Sequence, residues 1–325
     1  MKSSIAQLCV TGIGLITPFG VGPASLRKVY LNGAWKLRGA CAAVPRTRFS
    51  GKPKITGSLS NRVGMEYLST AALCACLAAE EALKESQLTL GALDRERVGV
   101  SIGSAFASAN AVHEFSSKIV DEGPGAIEPL DFPNTVSNAA AGYLGASYGL
   151  MGLNISFSAG LKSSSLAISY ACEAITSSMI DIAIAGGVEE LVSDDSDVVG
   201  GIEGCALIVI ERVKDATERG AIILGYLTNN PRQRGGLPLH AEESELSQPA
   251  NSNGYCAVRA TDGGEVLPDF TEFISMFHGA STAVAYALAT TLKQHREIIS
   301  ASLYDMSSEI SGGLRFCVSG RGNGG

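Results

Sequence analysis

The stretch NISFSAGLKSSSLAISYACEAITSSMIDIAIAGGVEE, residues 154–190, contains two predicted strands separated by a predicted helix. Residues Ile155–Phe157 alternate like a short strand, and the three small residues after them suit a sharp turn. From Ser163 to about Ser178, apolar or small residues occupy nearly every helical face, which indicates a buried helix. Residues 180–185 form an apolar run of strand length, and we expect Gly186-Gly187 to end it as a backbone turn. This order predicts an α/β layered fold.

The turn that leads into the buried helix is a favourable position for a catalytic nucleophile. Free N–H groups and the helix dipole stabilise negative charge there. The stretch resembles the central motif of the β-ketoacyl-acyl-carrier-protein synthases, which carry their catalytic Cys in this turn. An ungapped register from Ile155–Phe157 to Ala185-Gly186-Gly187 places Leu161, which has no nucleophilic atom, at the position of that Cys. The resemblance implies a thiolase-like fold with five layers, α-β-α-β-α.

Composition and charge limit the classes of function. The chain has 325 residues, of which 46% are hydrophobic and 18% charged, so it can bury a large core. Its net charge of −7 argues against partners such as nucleic acid or an anionic membrane. The eight Cys residues lack paired spacing, which predicts no disulfide framework and no zinc site, and we expect no cofactor. The start MKSSIAQLCV lacks the apolar run of a signal peptide, which favours a cytoplasmic protein.

The amino-terminal region gives a second point of resemblance. Residues Leu8–Thr11 are predicted to be a strand, and the segment Gly12–Gly20, GIGLITPFG, is interpreted as a glycine-rich turn. These nine residues resemble the amino-terminal signature of the same family. Residues 33–60 form a polar, basic segment, which is either an ordinary surface loop or a surface that helps a carrier protein to dock. The pattern from Arg62 to about Glu85 predicts an amphipathic helix.

A long segment without charge precedes the central stretch. No Asp, Glu, Lys or Arg occurs from Phe132 to Leu161, yet Pro, Asn and Gly interrupt the segment too often for a membrane helix. We expect it to lie in the interior or at an interface. In the family that the chain resembles, the equivalent segment lies at the dimer interface and reaches toward the partner's acyl tunnel. The resemblance implies tunnel or interface positions for Thr135, Val136, Ser137, Asn138, Ile155, Phe157 and Leu161.

The second half departs from the family's pattern. Neither of the two His motifs of an active synthase is intact: His278 lies in a related segment but is shifted from the catalytic position, so it is either a vestigial base or a packed side chain. Near the end, Arg321 and Asn323 stand where the family's gating loop has phenylalanines. The acidic residues 194–197 have no metal-loop spacing. The resemblance divides the chain into one thiolase-like half, residues 1–215, and a shortened second half, residues 216–325, in one compact body.

Together these features favour a chain-length factor, the inactive ketosynthase-like subunit that pairs with an active ketosynthase in type II polyketide, aryl polyene or fatty-acid-like biosynthesis. Its partners would be that ketosynthase and an acyl carrier protein docked mainly through it. Two alternatives stay open. One is an acyltransferase or unusual synthase with Ser158 or Ser163 as nucleophile, and the other is a non-catalytic structural homodimer.

Overall fold

The computed structural model describes residues 8–32, 47–62, 64–106, 108–191, 201–229, 256–262, 265–266, 277, 280, 283–284, 287–288, 301–305 and 314–317. Its helices are α1 (Pro23–Leu31), α2 (Thr70–Ser86), α3 (Ala109–Glu122), α4 (Ala139–Tyr148), α5 (Ser163–Thr176) and α6 (Val213–Glu218). Its strands are β1 (Leu8–Thr17), β2 (Gly20–Val21), β3 (Val98–Gly103), β4 (Asn154–Phe157), β5 (Ile182–Glu189), β6 (Gly204–Arg212), β7 (Gly225–Asn229), β8 (Cys256–Asp262), β9 (Glu265–Val266), β10 (Ala301–Asp305) and β11 (Leu314–Cys317). Within these ranges no helix has both the length and the apolar character that crossing a membrane requires.

The strands form one mixed sheet in the order β4-β3-β5-β6-β1-β7-β11-β10-β8-β9, and β2 pairs with β1. The pairs β3–β4 and β3–β5 are parallel, whereas β5–β6, β6–β1 and β1–β7 are antiparallel. Because β7 pairs with β1, the strands of the second half extend the sheet of the first half. The division at residue 215 into two halves of one compact body stays a prediction.

The middle of the sheet is covered on both faces. On β6, Ala206 and Ile208 belong to a core cluster that also contains α1 and α5 residues, whereas Cys205 and Leu207 belong to a cluster formed with α2 and α4. Successive side chains of a strand point to opposite faces, so β6 packs against helices on both sides. These contacts define three layers, α-β-α, of the five that the resemblance implies.

Two turns that the sequence predicted at glycines are parts of strands β1 and β5 in the structure. We expected a turn from Gly12 onward and another at Gly186-Gly187, but β1 continues to Thr17 and β5 to Glu189. A Cβ at Gly14 would overlap the carbonyl oxygen of Ala78 on α2. A Cβ at Gly186 would likewise overlap the carbonyl oxygen of Ala206 on β6. These glycines therefore permit close packing inside the sheet rather than ending its strands.

Helix α2 begins later than the sequence pattern indicated. The pattern predicted a helix from Arg62, whereas the structure has short 3₁₀ turns before Ser69 and α2 from Thr70. The Ser69 side chain caps the helix by accepting a hydrogen bond from the backbone N–H of Ala72 at 3.2 Å. The predicted amphipathic helix is thus present but shorter.

A salt-bridge network joins the amino-terminal ends of β3 and β5 to the end of β6. Arg97 donates two hydrogen bonds to the carboxylate of Asp181, at 2.9 and 2.8 Å. Arg212 donates a third to the same carboxylate at 2.8 Å. These hydrogen bonds, that of Arg97 first, lower the pKa of Asp181 to about 2. The carboxylate therefore stays charged across the neutral and mildly acidic range.

Candidate functional site

The turn between β4 and α5 is held by the side chain of Ser163. The Ser163 hydroxyl donates to the carbonyl of Gly160 at 2.6 Å and accepts from the backbone N–H of Ala159 at 2.9 Å. Gly160 has a φ of +58°, in the left-handed region that favours glycine. Ser158, Ala159 and Gly160 are exposed, and Leu161 is half-buried two residues before the helix begins. The chain thus forms the predicted strand, turn and helix, with an aliphatic side chain at the turn.

A small cavity lies at the carboxyl ends of the parallel strands β3, β4 and β5, where open α/β sheets commonly bind ligands. Its volume is about 20 Å³, which is room for about one water molecule. Its lining residues are Ser69, Ala71, Ile102, Ser104, Ser108, Ala111, Asn134, Val136, Ser137, Ala139, Ala140, Ser156, Phe157, Val188 and Glu190.

Three of the predicted tunnel or interface residues line this cavity, namely Val136, Ser137 and Phe157. Thr135 lies beside it, since its carbonyl accepts a hydrogen bond from the Ser108 hydroxyl at 2.7 Å. The remaining predicted residues do not line it. Ile155 is half-buried on β4, Asn138 is exposed just before α4, and Leu161 lies at the turn. His278, Arg321 and Asn323 lie outside the described residues.

Two adjacent glutamates at the end of β5 were not identified from the sequence. The buried Glu189 carboxylate accepts from the Ser104 hydroxyl at 2.5 Å and from the backbone N–H of Ala105 at 2.9 Å. The Glu190 carboxylate accepts from the backbone N–H of Ala71 and from the Asn110 amide, at 2.9 and 3.0 Å. Burial raises the pKa of Glu190. The sequence did contain a signal for these residues, namely two consecutive acidic residues directly after a buried strand. Buried charges need hydrogen-bond partners, so such a pair indicates a polar site.

A larger open groove of about 620 Å³ adjoins the cavity and shares four lining residues with it, Ser69, Ala111, Asn134 and Glu190. Arg48 and Lys52, from the basic segment, line this groove. Arg48 forms an ion pair with the buried Glu203 at 2.9 Å. Arg38 and Arg46 of the same segment lie outside the described residues, so the role of this segment in docking stays a prediction.

Five cysteines in the described part of the chain are buried, namely Cys9, Cys74, Cys76, Cys172 and Cys205. Burial raises the pKa of Cys9 and of Cys172 to about 12 and that of Cys76 to about 11. Cys172 lies on α5 but eleven residues after Leu161, so it is remote from the turn. Among the described residues the only histidine is His113, which is exposed on α3. In the same residues no group of three His, Cys, Asp or Glu could hold a metal ion.

Comparison with known sequences matches residues 6–200 to the β-ketoacyl synthase amino-terminal domain, which is more than half of the chain. The 3-oxoacyl-[acyl-carrier-protein] synthase 2 of Synechocystis sp. is 23% identical over 358 residues, covering 94% of this chain and 82% of that protein. Nodulation protein E of Rhizobium sp. is 24% identical over 312 residues, covering 85% of this chain and 73% of that protein.

Solved structures show a similar fold. A type II polyketide ketosynthase bound to its acyl carrier protein, AntDE:AntF, aligns with a TM-score of 0.67 and 18% identity, covering 97% of this chain and 99% of that chain. The ishigamide ketosynthase/chain length factor aligns with a TM-score of 0.56 and 16% identity, covering 87% of this chain and 70% of that chain. The solved structures show the thiolase-like fold, and the domain match over residues 6–200 shows that the chain belongs to the β-ketoacyl synthase family.

Proposed function

We propose that this chain is a non-catalytic subunit, a chain-length factor, which pairs with an active β-ketoacyl synthase. The observation that carries the proposal is Leu161, which occupies the turn directly before α5. A condensation requires a nucleophile that can hold the acyl chain as a thioester, and a leucine side chain cannot form one. The Synechocystis relative is named a 3-oxoacyl-[acyl-carrier-protein] synthase, so the proposal is that this member of the family has lost the nucleophile and kept the fold.

No other side chain at the turn is a good replacement for the missing thiol. The Ser163 hydroxyl already donates to Gly160 and accepts from Ala159, so activating it would break the contacts that hold the turn. Ser158 is exposed, and the described residues provide no histidine within the turn to act as its base. The buried cysteines have raised pKa values, which opposes formation of a thiolate. These contacts favour the non-catalytic subunit over a Ser acyltransferase.

Two features of the surface beside the cavity support the proposal that a partner protein binds there. Strand β4 lies at the edge of the sheet, where unpaired backbone groups can bond to another chain. Phe132 and Val136 are 59% and 41% exposed although both are large and apolar. The two solved structures with a similar fold are a ketosynthase with its carrier protein and a ketosynthase/chain length factor. We propose an active ketosynthase as the partner here, with the acyl carrier protein docked mainly through that partner.

The cavity supports a role in shaping the acyl tunnel. Ser137 and Phe157 line it next to the proposed interface, so their size would limit how far an acyl chain from the partner can extend. We expect bulky substitutions at Thr135 or Ser137 to shorten the product while the partner's Cys keeps its reactivity. A structural homodimer remains the competing assembly, and it would show no preference for a ketosynthase.

The test is co-expression of the chain with the active ketosynthase of its own pathway. Size-exclusion chromatography should show a heterodimer, and intact-mass spectrometry after incubation with an acyl thioester should show acylation of the ketosynthase but not of this chain. A stable homodimer that ignores the ketosynthase would overturn the proposed pairing. Acylation of the isolated chain, mapped to Ser158 or Ser163, would instead favour the acyltransferase.

A further inference from the structure

A second groove lies at the far end of α2 from the cavity. Its volume is about 330 Å³, within the range of small-molecule sites. Its lining residues are Ser58, Arg62, Glu80, Leu83, Lys84, Leu88, Leu90, Arg95 and Tyr148. Ala71 lines the cavity and Lys84 lines this groove, so a rise of about 1.5 Å per residue separates them by roughly 20 Å along the helix. The groove is therefore distinct from the proposed acyl site.

The groove is positively charged in a protein whose net charge is −7. Three cationic residues line it, Arg62, Lys84 and Arg95, against one carboxylate, that of Glu80. In the described part of the chain, no ion pair within 4.0 Å joins any of these three cations to a carboxylate. The Glu80 carboxylate instead accepts a hydrogen bond from the backbone N–H of Ser58 at 2.5 Å. Three cations against one carboxylate leave an excess of positive charge in the groove, which favours an anionic ligand.

Two of the cations are fixed in place by Tyr148, at the end of α4. The Arg62 guanidinium lies over the Tyr148 ring, 5.6 Å from its centroid. Arg95 donates to the Tyr148 carbonyl at 3.2 Å, beside Gly149. The Tyr148 hydroxyl in turn donates to the carbonyl of Cys76 at 3.0 Å, so this tyrosine is anchored to α2. A guanidinium held in this way loses less freedom on binding than a mobile one.

The other side of the groove is apolar. Leu83 is buried, and Leu88 and Leu90 are half-buried beside it. Convergent cations beside an aliphatic wall match a ligand that has an anionic head and an aliphatic body. We propose that this groove binds an amphipathic anion, a medium-length aliphatic chain with a carboxylate or phosphate head, at a site separate from the proposed acyl tunnel.

Calorimetric titration of the full chain with octanoate tests the proposal. Lys84→Gln, which removes an exposed cation without a packing role, should weaken octanoate binding about tenfold. Glu80→Gln keeps an acceptor for the Ser58 N–H and removes the opposing charge, so it should tighten binding. Lys214→Gln, an exposed lysine outside the groove, is the matched control and should leave the affinity unchanged.

Two further ligands separate the contributions of head and chain. Octan-1-ol lacks the charge and acetate lacks the chain, so both should bind at least about tenfold more weakly than octanoate if the cations and the leucines act together. Equal binding of octanoate by the unaltered chain and Lys84→Gln would overturn the proposal, as would the absence of octanoate binding or equal binding of octan-1-ol. Opposite effects of Glu80→Gln and Lys84→Gln, with unchanged melting temperatures, would exclude misfolding as the cause.

Discussion

At the scale of single residues, the proposed function rests on position 161. The left-handed Gly160 and the Ser163 hydroxyl shape the backbone around it without any contribution from a thiol. The turn and the chemistry are therefore separable. A substitution at Leu161 can restore a thiol without rebuilding the backbone around it.

Replacement Leu161→Cys should create a reactive thiol and no condensing enzyme. A cysteine at the amino-terminal end of α5 should have a pKa below its usual value of about 8.5, because the helix dipole stabilises the thiolate. We expect alkylation of position 161 by iodoacetamide to be faster than that of the five cysteines that are buried in the structure. Mass spectrometry measures the alkylation, and liquid chromatography of products measures elongation. Appreciable elongation by this variant without a partner would contradict the non-catalytic assignment.

At the scale of secondary-structure elements, packing between α2 and β1 depends on residues that have no Cβ. Gly14→Ala should lower the free energy of unfolding by about 3 kcal/mol, because the new Cβ overlaps the backbone of Ala78. Gly142, in the interior of α4, has no atom near a built Cβ, so Gly142→Ala should stabilise the protein by up to about 1 kcal/mol. Urea unfolding measures both changes. Equal effects of the two variants would contradict the close approach of α2 to β1.

The ion pairs between strand ends give an element-scale prediction about pH. The pKa of Asp181 is lowered from 3.8 to about 2, so its stabilising contribution is complete above about pH 4 and disappears as the pH falls through 2. Asp181→Asn should therefore destabilise the protein at pH 7, and the difference from the unaltered chain should shrink between pH 4 and pH 2. Asp121→Asn, on the exposed face of α3, is the control. A difference that stays constant down to pH 2 would show that the network acts only by packing.

The same elements show what the sequence could and could not predict. The order β4, turn, α5, β5 was predicted correctly because apolar periodicity is a local property of the chain. The predicted ends of β1 and β5 were wrong. Gly14 and Gly186 are needed because a Cβ there would overlap the carbonyl oxygen of Ala78 or Ala206, and a local sequence pattern does not include such distant residues. Glu190 was missed for a similar reason, since its hydrogen bond to Ala71 spans 119 residues.

At the scale of the whole molecule, the proposed partner should cover the apolar surface beside the cavity. Phe132→Glu should reduce association with the ketosynthase by at least about tenfold. A tenfold change corresponds to about 1.4 kcal/mol, and burying an unpaired charge costs more free energy than that. Met179→Glu is the matched control: Met179 is 54% exposed and Phe132 is 59% exposed, but Met179 precedes β5 at the opposite end of the sheet. The co-purified yield after size-exclusion chromatography measures the effect. Equal yields from both variants would place the interface elsewhere.

The position of β1 between β6 and β7 also determines when β1 can complete its pairing during synthesis. Leu8 on β1 pairs with Arg212 on β6, so β1 waits for about 200 further residues before this long neighbour in the sheet exists, and only the two-residue β2 is available earlier. At roughly 5–20 residues per second, that wait is on the order of 10–40 s. During this interval the apolar face of β1 needs temporary cover, from α2 or from a chaperone. Strand β1 therefore completes its pairing in the sheet only late in synthesis.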